Sequence, residues 1–215
     1  ISFDFHEYGG RNHRLPLWYS EIDWYNTGLG VLNREDAIEI LVNGSNYTQE
    51  QIFQREFCIA VFNNPEGTRL EALRLLNEIA PVTGYGNPFG NWFPTYQTYR
   101  DKIKILAKYR YNLCPENSYY PGYYTEKCIH AKIAGCVPVY MSDPYVKEDF
   151  RTNAFLNIND FPDLGNLKDQ IIHLEDNPAQ LTALLNKPLL RKRPSLDSTK
   201  LFLRKAVSSI LSTRK

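Results

Sequence analysis

From Arg55 onward the chain alternates short apolar runs with longer stretches in which apolar residues recur every three or four positions. FCIAVF, residues 57–62, reads as a buried strand. Asn63-Asn64-Pro65-Glu66-Gly67 then turns the chain into TRLEALRLLNEI, a helix with leucines at 70, 73, 75 and 76. PVTGYGNPFGNWFP, rich in glycine, proline and aromatics, reads as a loop, and a helix is expected near Tyr96 to Lys108. YRYNL, residues 109–113, reads as the next strand. After a polar, aromatic loop, Thr125 can cap a helix that opens with Glu126 and Lys127; Gly135 stops it and VPVYM follows as a strand. A strand at AFLNI and helices around Leu164–Glu175 and Pro178–Asn186 complete the series. Repeated strand-then-helix units predict a doubly wound α/β domain over roughly residues 55–190. Ligands of such sheets sit beyond the carboxyl ends of strands, so the loops after FCIAVF and YRYNL are the expected site.

The flanks follow other patterns. ISFDF reads as a strand, RNHRLPLWY as a basic aromatic loop, Arg34 to about Leu41 as a helix, and NGSNYTQEQ as a linker. From Lys187 to Lys215 nine basic residues face the single acid Asp197, with Leu203, Val207, Ile210 and Leu211 at helical spacing. Such a stripe most often packs on its own domain; a basic amphipathic helix can also lie on an anionic membrane surface. The organisation expected is therefore 1–54, 55–190 and a basic C-terminal helix at 191–215.

Composition narrows the partners. A formal net charge of +1 argues against a nucleic-acid-coating surface, and no apolar run approaches the roughly 18–20 residues that span a bilayer. Cys58, Cys114, Cys128 and Cys136 form no C-x-x-C pair and read as buried thiols; His6, His13, His130 and His173 are scattered, so no metal site is expected.

The chemistry gathers between Tyr109 and Tyr140. A helix amino end carries unpaired N–H groups and about half a positive charge, so a lysine in its first turn opposes the dipole unless an anion sits there. Lys127 is such a lysine, and Arg69 opens the helix one unit earlier. Asn117 offers hydrogen bonds, Tyr119, Tyr120, Tyr123 and Tyr124 offer ring faces, and Glu126 offers a carboxylate. Taken singly, Arg69 fits surface pairing with Glu66 or Glu71, Glu126 fits the helix dipole, and Asn117 fits a turn. Together, two cations and a helix terminus suit a pyrophosphate, tyrosine faces a base or sugar ring, and a carboxylate a sugar hydroxyl. The combination points to a nucleotide-sugar donor.

YRYNLCPENSYYPGYYTEKCIHAKIAGCVPVYMSDPYVKEDF resembles the fucosyltransferase signature of glycosyltransferase family 10, the α1,3/α1,4-fucosyltransferases. The family pattern reads approximately Y-K/R-F-x-L-x-x-E-N-S/T, then Y-x-T-E-K and G-x-V-P-V/I. FCIAVFNNPEGTRLEALRLLNEIAPVTGYG is similar to the opening of the donor domain in bacterial members, AFLNINDF to the strand after the signature, and ISFDFHEYGGRNHRLPLWY to the end of their acceptor-side domain.

The resemblance implies a GT-B architecture, with a Rossmann-like donor-binding domain at 55–190 and a partial acceptor-side domain at 1–54. It implies transfer of L-fucose from GDP-fucose, with inversion, to a glycan acceptor such as a galactose–N-acetylglucosamine unit. Carried over by motif, Lys127 and Arg69 would neutralise the pyrophosphate of departing GDP, and Asn117 and Tyr123 would contact the donor. Glu126 would hold a ribose or fucose hydroxyl and support positive charge on the sugar, and no metal cofactor would be required. The family's general base is a glutamate a little before the segment that ISFDF resembles, so the chain is expected to begin just after it; Asp4, His6 and Glu7 are the titratable groups near that edge, and none matches the motif position. Pro115 stands where the family usually has an aromatic residue, and Ser142 where glycine is common. Alternatives are a transferase using another nucleotide sugar and a GDP-sugar-binding fragment without turnover. The expected location is the cytoplasm or the inner face of a membrane, with residues 191–215 in peripheral contact.

Overall fold

A computed structural model of the chain describes residues 1–6, 8–25, 32–92 and 99–212. A two-residue parallel pair, β1 (Ile22–Asp23) and β2 (Leu32–Asn33), precedes helices α1 (Arg34–Asn43) and α2 (Gln49–Phe53). Then come β3 (Glu56–Val61), α3 (Thr68–Asn77), β4 (Val82–Tyr85), α4 (Tyr99–Leu106), β5 (Tyr109–Leu113), α5 (Glu126–Ile133), β6 (Val137–Tyr140) and β7 (Leu156–Asn157). Helices α6 (Leu164–Asp176), α7 (Pro178–Asn186) and α8 (Asp197–Ser212) close the chain.

Strands β3 to β7 form one sheet in the order β4-β3-β5-β6-β7, and every neighbouring pair is parallel. The chain steps from β3 outward to β4, then returns past β3 to β5, so its direction across the sheet reverses between β3 and β5. Strand side chains alternate between the two faces. Cys58 and Ala60 pack with Ala72 and Leu76 of α3 and with Leu167, Ile171, Leu181 and Leu185 of α6 and α7. Ile59 lies on the other face with Leu106 of α4, Cys128 and Ile129 of α5, and Trp18, Ile38 and Leu41 of the N-terminal segment. All four cysteines are buried and free. Helix α5 ends as expected at Gly135, whose φ of +72° admits the two closing bonds, Cys136 N–H to Ala131 O at 2.9 Å and Gly135 N–H to Lys132 O at 3.0 Å.

Four expectations are corrected. ISFDF is not a strand: Ser2 makes one bridge to Arg14, and the segment is held by rings instead, Phe3 edge-on to Tyr123 at 5.9 Å and Phe5 stacked on Tyr145 at 4.6 Å. NGSNYTQEQ contains the start of α2, closed by a capping box in which the Thr48 side chain accepts from Gln51 N–H and the Gln51 side chain from Thr48 N–H. PVTGYG holds β4, whose glycine hid its pairing with β3. The described part of α4 begins at Tyr99; Tyr96 lies outside the described residues. Finally, the apolar stripe of α8 does not pack on the domain. Its contacts with the body include Thr199, bonded to His13 at 3.0 Å, Phe202, stacked on His13, and Lys200 over the Tyr25 ring. Leu203, Val207, Ile210 and Leu211 remain 47, 54, 57 and 62% exposed. Among the described residues no helix is long and apolar enough to cross a membrane.

Lys132 ties the two helical layers together across the sheet end. It is 2% exposed, and its Nζ donates to Leu185 O at 2.7 Å and Leu184 O at 3.3 Å, the last carbonyls of α7. Burial pushes its ammonium down from the usual lysine value to about 8. The unfolded chain therefore holds more protons than the folded one between about pH 8 and 10.5, and stability rises with pH across that window. Lys132→Met removes this dependence. Urea unfolding of both proteins at pH 7.5 and pH 10 is expected to show the difference moving in the wild type's favour by up to about 3 kcal/mol.

Candidate functional site

The site is built around one buried carboxylate. Beyond β5 the chain keeps running beside β6, with Cys114 N–H on Val139 O at 2.9 Å and Glu116 N–H on Met141 O at 3.2 Å, and this carries Glu116 over the sheet end. The Glu116 side chain is fully buried. Its oxygens accept from Thr125 N–H at 2.7 Å, Thr125 Oγ1 at 2.8 and 3.0 Å, Lys127 Nζ at 2.9 Å and the Tyr140 hydroxyl. Thr125 occupies the N-cap position of α5, yet its own side chain does not cap: the hydroxyl turns to Glu116. Lys127 in the first turn thus has its anion inside the protein.

A second staple lies alongside. Arg69, 4% exposed, donates to Asn64 O at 2.9 Å, Pro115 O at 3.4 Å and Asn117 Oδ1 at 2.6 Å. It thereby joins the β3–α3 loop to the β5–α5 loop. Proline at 115 fits here because that position supplies only a carbonyl.

Between these loops opens a cleft of about 400 Å³ at the carboxyl ends of β3 and β5, the place where the strand order reverses. Val61, Asn112 and Cys114 form its floor, Phe62, Tyr85, Gly86 and Trp92 one side, and Lys102, Glu126 and Lys127 the other, with Asn117 at the rim. Gly86 has φ +121°, and a Cβ there would stand 2.2 Å from Phe62 O, so the wall is close-packed backbone. Glu126 has ammonium groups on two sides, Lys127 at 3.8 Å and Lys102 of α4 at 3.9 Å. Burial works to raise the Glu126 carboxyl, but Lys127 and Lys102 outweigh it and hold the group below the usual carboxylate range. Burial also works against the Lys127 ammonium, and Glu116 and Glu126 overcome it, so its pKa lies above the ordinary value. Burial lowers Lys102, against the pull of Glu126. The cleft therefore presents a fixed cation at a helix amino end and an ionised carboxylate beside it.

The structure brings Asn117, Glu126 and Lys127 to the cleft and leaves Arg69 and Tyr123 outside its lining. Arg69, read from sequence as a second cation aimed at the crevice, is occupied by three oxygen acceptors and acts on the cleft through Asn117. Tyr123 stands beside Phe3, close enough to bear on the charges of Arg69 and Lys127. The tyrosine loop is not a stacking platform: Tyr124 is wholly buried with its hydroxyl on Asp149 at 2.8 Å, while Tyr119 and Tyr120 are exposed and line no part of the cleft. The ring faces at the cleft belong to Phe62, Tyr85 and Trp92. Asp4 and His6 do not line it, and Glu7 lies outside the described residues. Sequence reasoning missed Glu116, Lys102 and Asn112. An acid two residues after buried Cys114 was a visible sign of Glu116; Lys102 looked like one of many helix-surface lysines, and Asn112 like strand filler.

Residues 53–186 match the family described as Glycosyltransferase family 10 (fucosyltransferase) C-term. The chain is 29% identical over 212 residues to the Alpha-(1,3)-fucosyltransferase FucT of Helicobacter pylori, an alignment covering 88% of this chain and 43% of that protein. The chain thus spans less than half the length of this relative. Among solved structures, an alpha1,3-fucosyltransferase superposes with a TM-score of 0.72 at 24% identity, covering 94% of this chain and 65% of the other. An alpha1,3-fucosyltransferase crystallised with GDP gives a TM-score of 0.69 at 26% identity, covering 94% and 67%. The parallel α/β architecture is that of these GT-B enzymes.

The geometry assigns Glu116 a supporting role that can be measured without ligand. Glu116→Gln leaves the Lys127 ammonium without its buried counter-charge, and the loss in urea unfolding at pH 7 is expected to be about 3–5 kcal/mol. Lys127→Met in the same chain should recover part of that loss, because both charges are then gone. Simple additivity of the two changes would mean the pair is not coupled.

Proposed function

Because this chain belongs to glycosyltransferase family 10, we propose that it binds GDP-fucose and serves the inverting transfer of L-fucose, in α1,3 or α1,4 linkage, to an N-acetylglucosamine-type glycan acceptor. In this reading residues 55–190 form the donor-binding unit, 1–54 belong to the acceptor side, and 191–215 form a basic C-terminal helix. The observation that carries it is the cleft at the strand-order reversal, where the amino end of α5, Lys127 and Glu126 meet.

The donor's diphosphate fits at the first turn of α5. Its negative charge grows as the sugar–oxygen bond breaks, and Lys127 together with the helix amino end opposes that charge from fixed positions. Lys127 is held there by Glu116, so little reorganisation accompanies departure of GDP. The sugar carbon develops positive charge in the same step, and the ionised Glu126 lies within the cleft to support it or to hold a donor hydroxyl. Asn117, locked by Arg69, presents its amide to the donor, and Tyr123, which lies outside the cleft lining beside Phe3, would reach the donor only from the loop side. That a relative of similar fold was solved with GDP, and another carries fucosyltransferase activity in its name, supports this choice over other nucleotide sugars.

The second partner in the proposal is a membrane surface. Leu203, Val207, Ile210 and Leu211 recur at i, i+4, i+7 and i+8 on the exposed side of α8, with Lys200 and Arg204 flanking them, an arrangement that suits an anionic bilayer.

Calorimetric titration with GDP, GDP-fucose, GDP-mannose and UDP-galactose, followed by a transfer assay on lactosamine, tests the donor reading. GDP-fucose is expected to bind more tightly than UDP-galactose, and Lys127→Ala to weaken GDP binding by about 1.5–3 kcal/mol. Equal affinity for GDP and UDP sugars would sink the fucosyl assignment, and unchanged GDP affinity in the variant would remove the phosphate from α5. For the surface helix, sedimentation with phosphatidylglycerol vesicles is expected for the wild type and lost in the Leu203→Asp/Val207→Asp double variant; equal sedimentation of both removes α8 as the contact.

A further inference from the structure

The loop that leads into α5 is gripped from the N-terminal segment. Between Asn117 at the rim and Thr125 at the cap, its backbone bonds include the short-range pairs Tyr123 N–H to Tyr120 O at 2.9 Å and Tyr124 N–H to Gly122 O at 3.1 Å. Bonds of that kind shape a loop without placing it on the body, which falls to side chains. Tyr124, the residue directly before Thr125, is fully buried. Its hydroxyl donates to Asp149 Oδ2 at 2.8 Å and accepts from Arg14. Arg14 also takes both oxygens of Asp149, Nη2 on Oδ2 at 2.7 Å and Nη1 on Oδ1 at 3.3 Å, and its guanidinium lies 4.0 Å from the centre of the Phe5 ring. Burial and the Asp149 carboxylate raise the pKa of the Tyr124 hydroxyl, which keeps it a donor to that acid. Gly122, with φ +80°, lets the N-terminal backbone lie on the loop, since a Cβ there would stand 2.7 Å from Phe3 O.

An exposed ion pair contributes little, but this one is two-pronged, four-fifths buried on both sides and shared with a buried phenol, so it fixes a geometry. The same segment meets α5 again farther along, where Glu21 and His130 Nε2 share a hydrogen bond at 3.0 Å. We propose that Arg14 is a positioning residue for the cleft: from the N-terminal segment it fixes Tyr124, and through Tyr124 the amino end of α5 with Glu126 and Lys127. Glu116 holds that helix end from the sheet side, and Arg14 holds the residue before it from the other. The consequence for the donor rests on the GDP-sugar reading above. In that reading residues 1–54 belong to the acceptor side, so the anion site for the donor depends on how the acceptor side is seated, and a displacement of about 1 Å at such a site is costly.

The test joins amide hydrogen exchange over residues 120–128, which needs no ligand, to calorimetric titration with GDP. Both are run on the wild type, Arg14→Lys, Arg14→Met and Tyr124→Phe, with circular dichroism confirming the fold. Arg14→Met is expected to speed exchange at the start of α5 about tenfold and to weaken GDP binding about tenfold, with Arg14→Lys recovering part of both. Tyr124→Phe keeps the ring and its packing and loses only the hydroxyl; it should change both in the same direction by about threefold, and it decides the question if Arg14→Met does not fold. In a Lys127→Met background the Arg14→Met effect on GDP should shrink below about threefold, because the group it positions is gone. Full additivity of those two changes would overturn the proposal. So would exchange and GDP affinity that both stay at the wild-type level, or faster exchange with GDP affinity intact, which would reduce the contact to a staple of the fold. None of these failures touches the GDP-sugar reading. A wild type that binds no GDP would defeat that reading alone, and exchange at the start of α5, with its recovery in Arg14→Lys, then decides the positioning by itself.

Discussion

The buried carboxylate of Glu116 is the contact on which the rest of the site depends. A lone carboxylate in a protein interior is so costly that it ordinarily takes up a proton, and it stays charged only where donors and a cation surround it. Here the donors come from two different pieces of chain, Thr125 and Lys127 at the start of α5 and Tyr140 at the end of β6, converging on an acid in a third, the segment that follows β5. Satisfying one charge therefore fixes where the β5–α5 loop ends, how α5 begins, and which way Lys127 points. Burial raises the Tyr140 hydroxyl's pKa, and Glu116 raises it further, which keeps the phenol a proton donor to this acid. Arg69 repeats the logic with the sign reversed, a buried cation surrounded by Asn64, Pro115 and Asn117 oxygens.

These two staples sit where topology leaves a gap. A right-handed crossover from β3 to β4 places α3 on one face of the sheet, and the return crossover to β5 places α4 on the other. The loops leaving β3 and β5 therefore diverge, and a crevice opens above the two adjacent strand ends. Without cross-links the crevice would be bounded by two independent loops. Arg69 spans them, and Glu116 pins the far one to the sheet, so the lining groups are positioned before any ligand arrives. Preorganisation of this kind is what allows fixed charges to act on a transition state with little rearrangement.

Much of this was legible from the chain, for reasons that differ by element. β3, α3, β5 and α5 carry their own period or punctuation: an unbroken apolar run, leucines every three or four residues, glycine at the helix stop. β4 was not legible because its glycine and the glycines and prolines flanking it signal a loop locally, while its pairing comes from β3, far along the chain. α2 was hidden by its polarity, although Thr48 and Gln51 spell a capping box. At the site, Asn117, Glu126 and Lys127 stand in a contiguous motif and could be found together. Lys102 could not, since its importance lies in a distance to Glu126 across two helices. The four loop tyrosines misled for the same reason: nothing local distinguishes Tyr124, sealed against Asp149, from Tyr119, which is 58% exposed.

A carboxylate beside the proposed diphosphate site works against anion binding on its own, and the charge arrangement explains how the two would coexist. Glu126 lies between Lys127 and Lys102, and Lys127 lies between Glu126 and Glu116. Each charge has an opposite neighbour within 4 Å, so these side chains nearly balance one another. In the proposed reading, a diphosphate at the amino end of α5 would meet Lys127 and the helix N–H groups, while Lys102 would screen Glu126 from it. Removing Lys102 would leave Glu126 to repel the phosphates and to draw Lys127 away from them. Lys102 on α4, which lies outside the signature motif in sequence, would thus set whether the acid and the anion can occupy the same cleft.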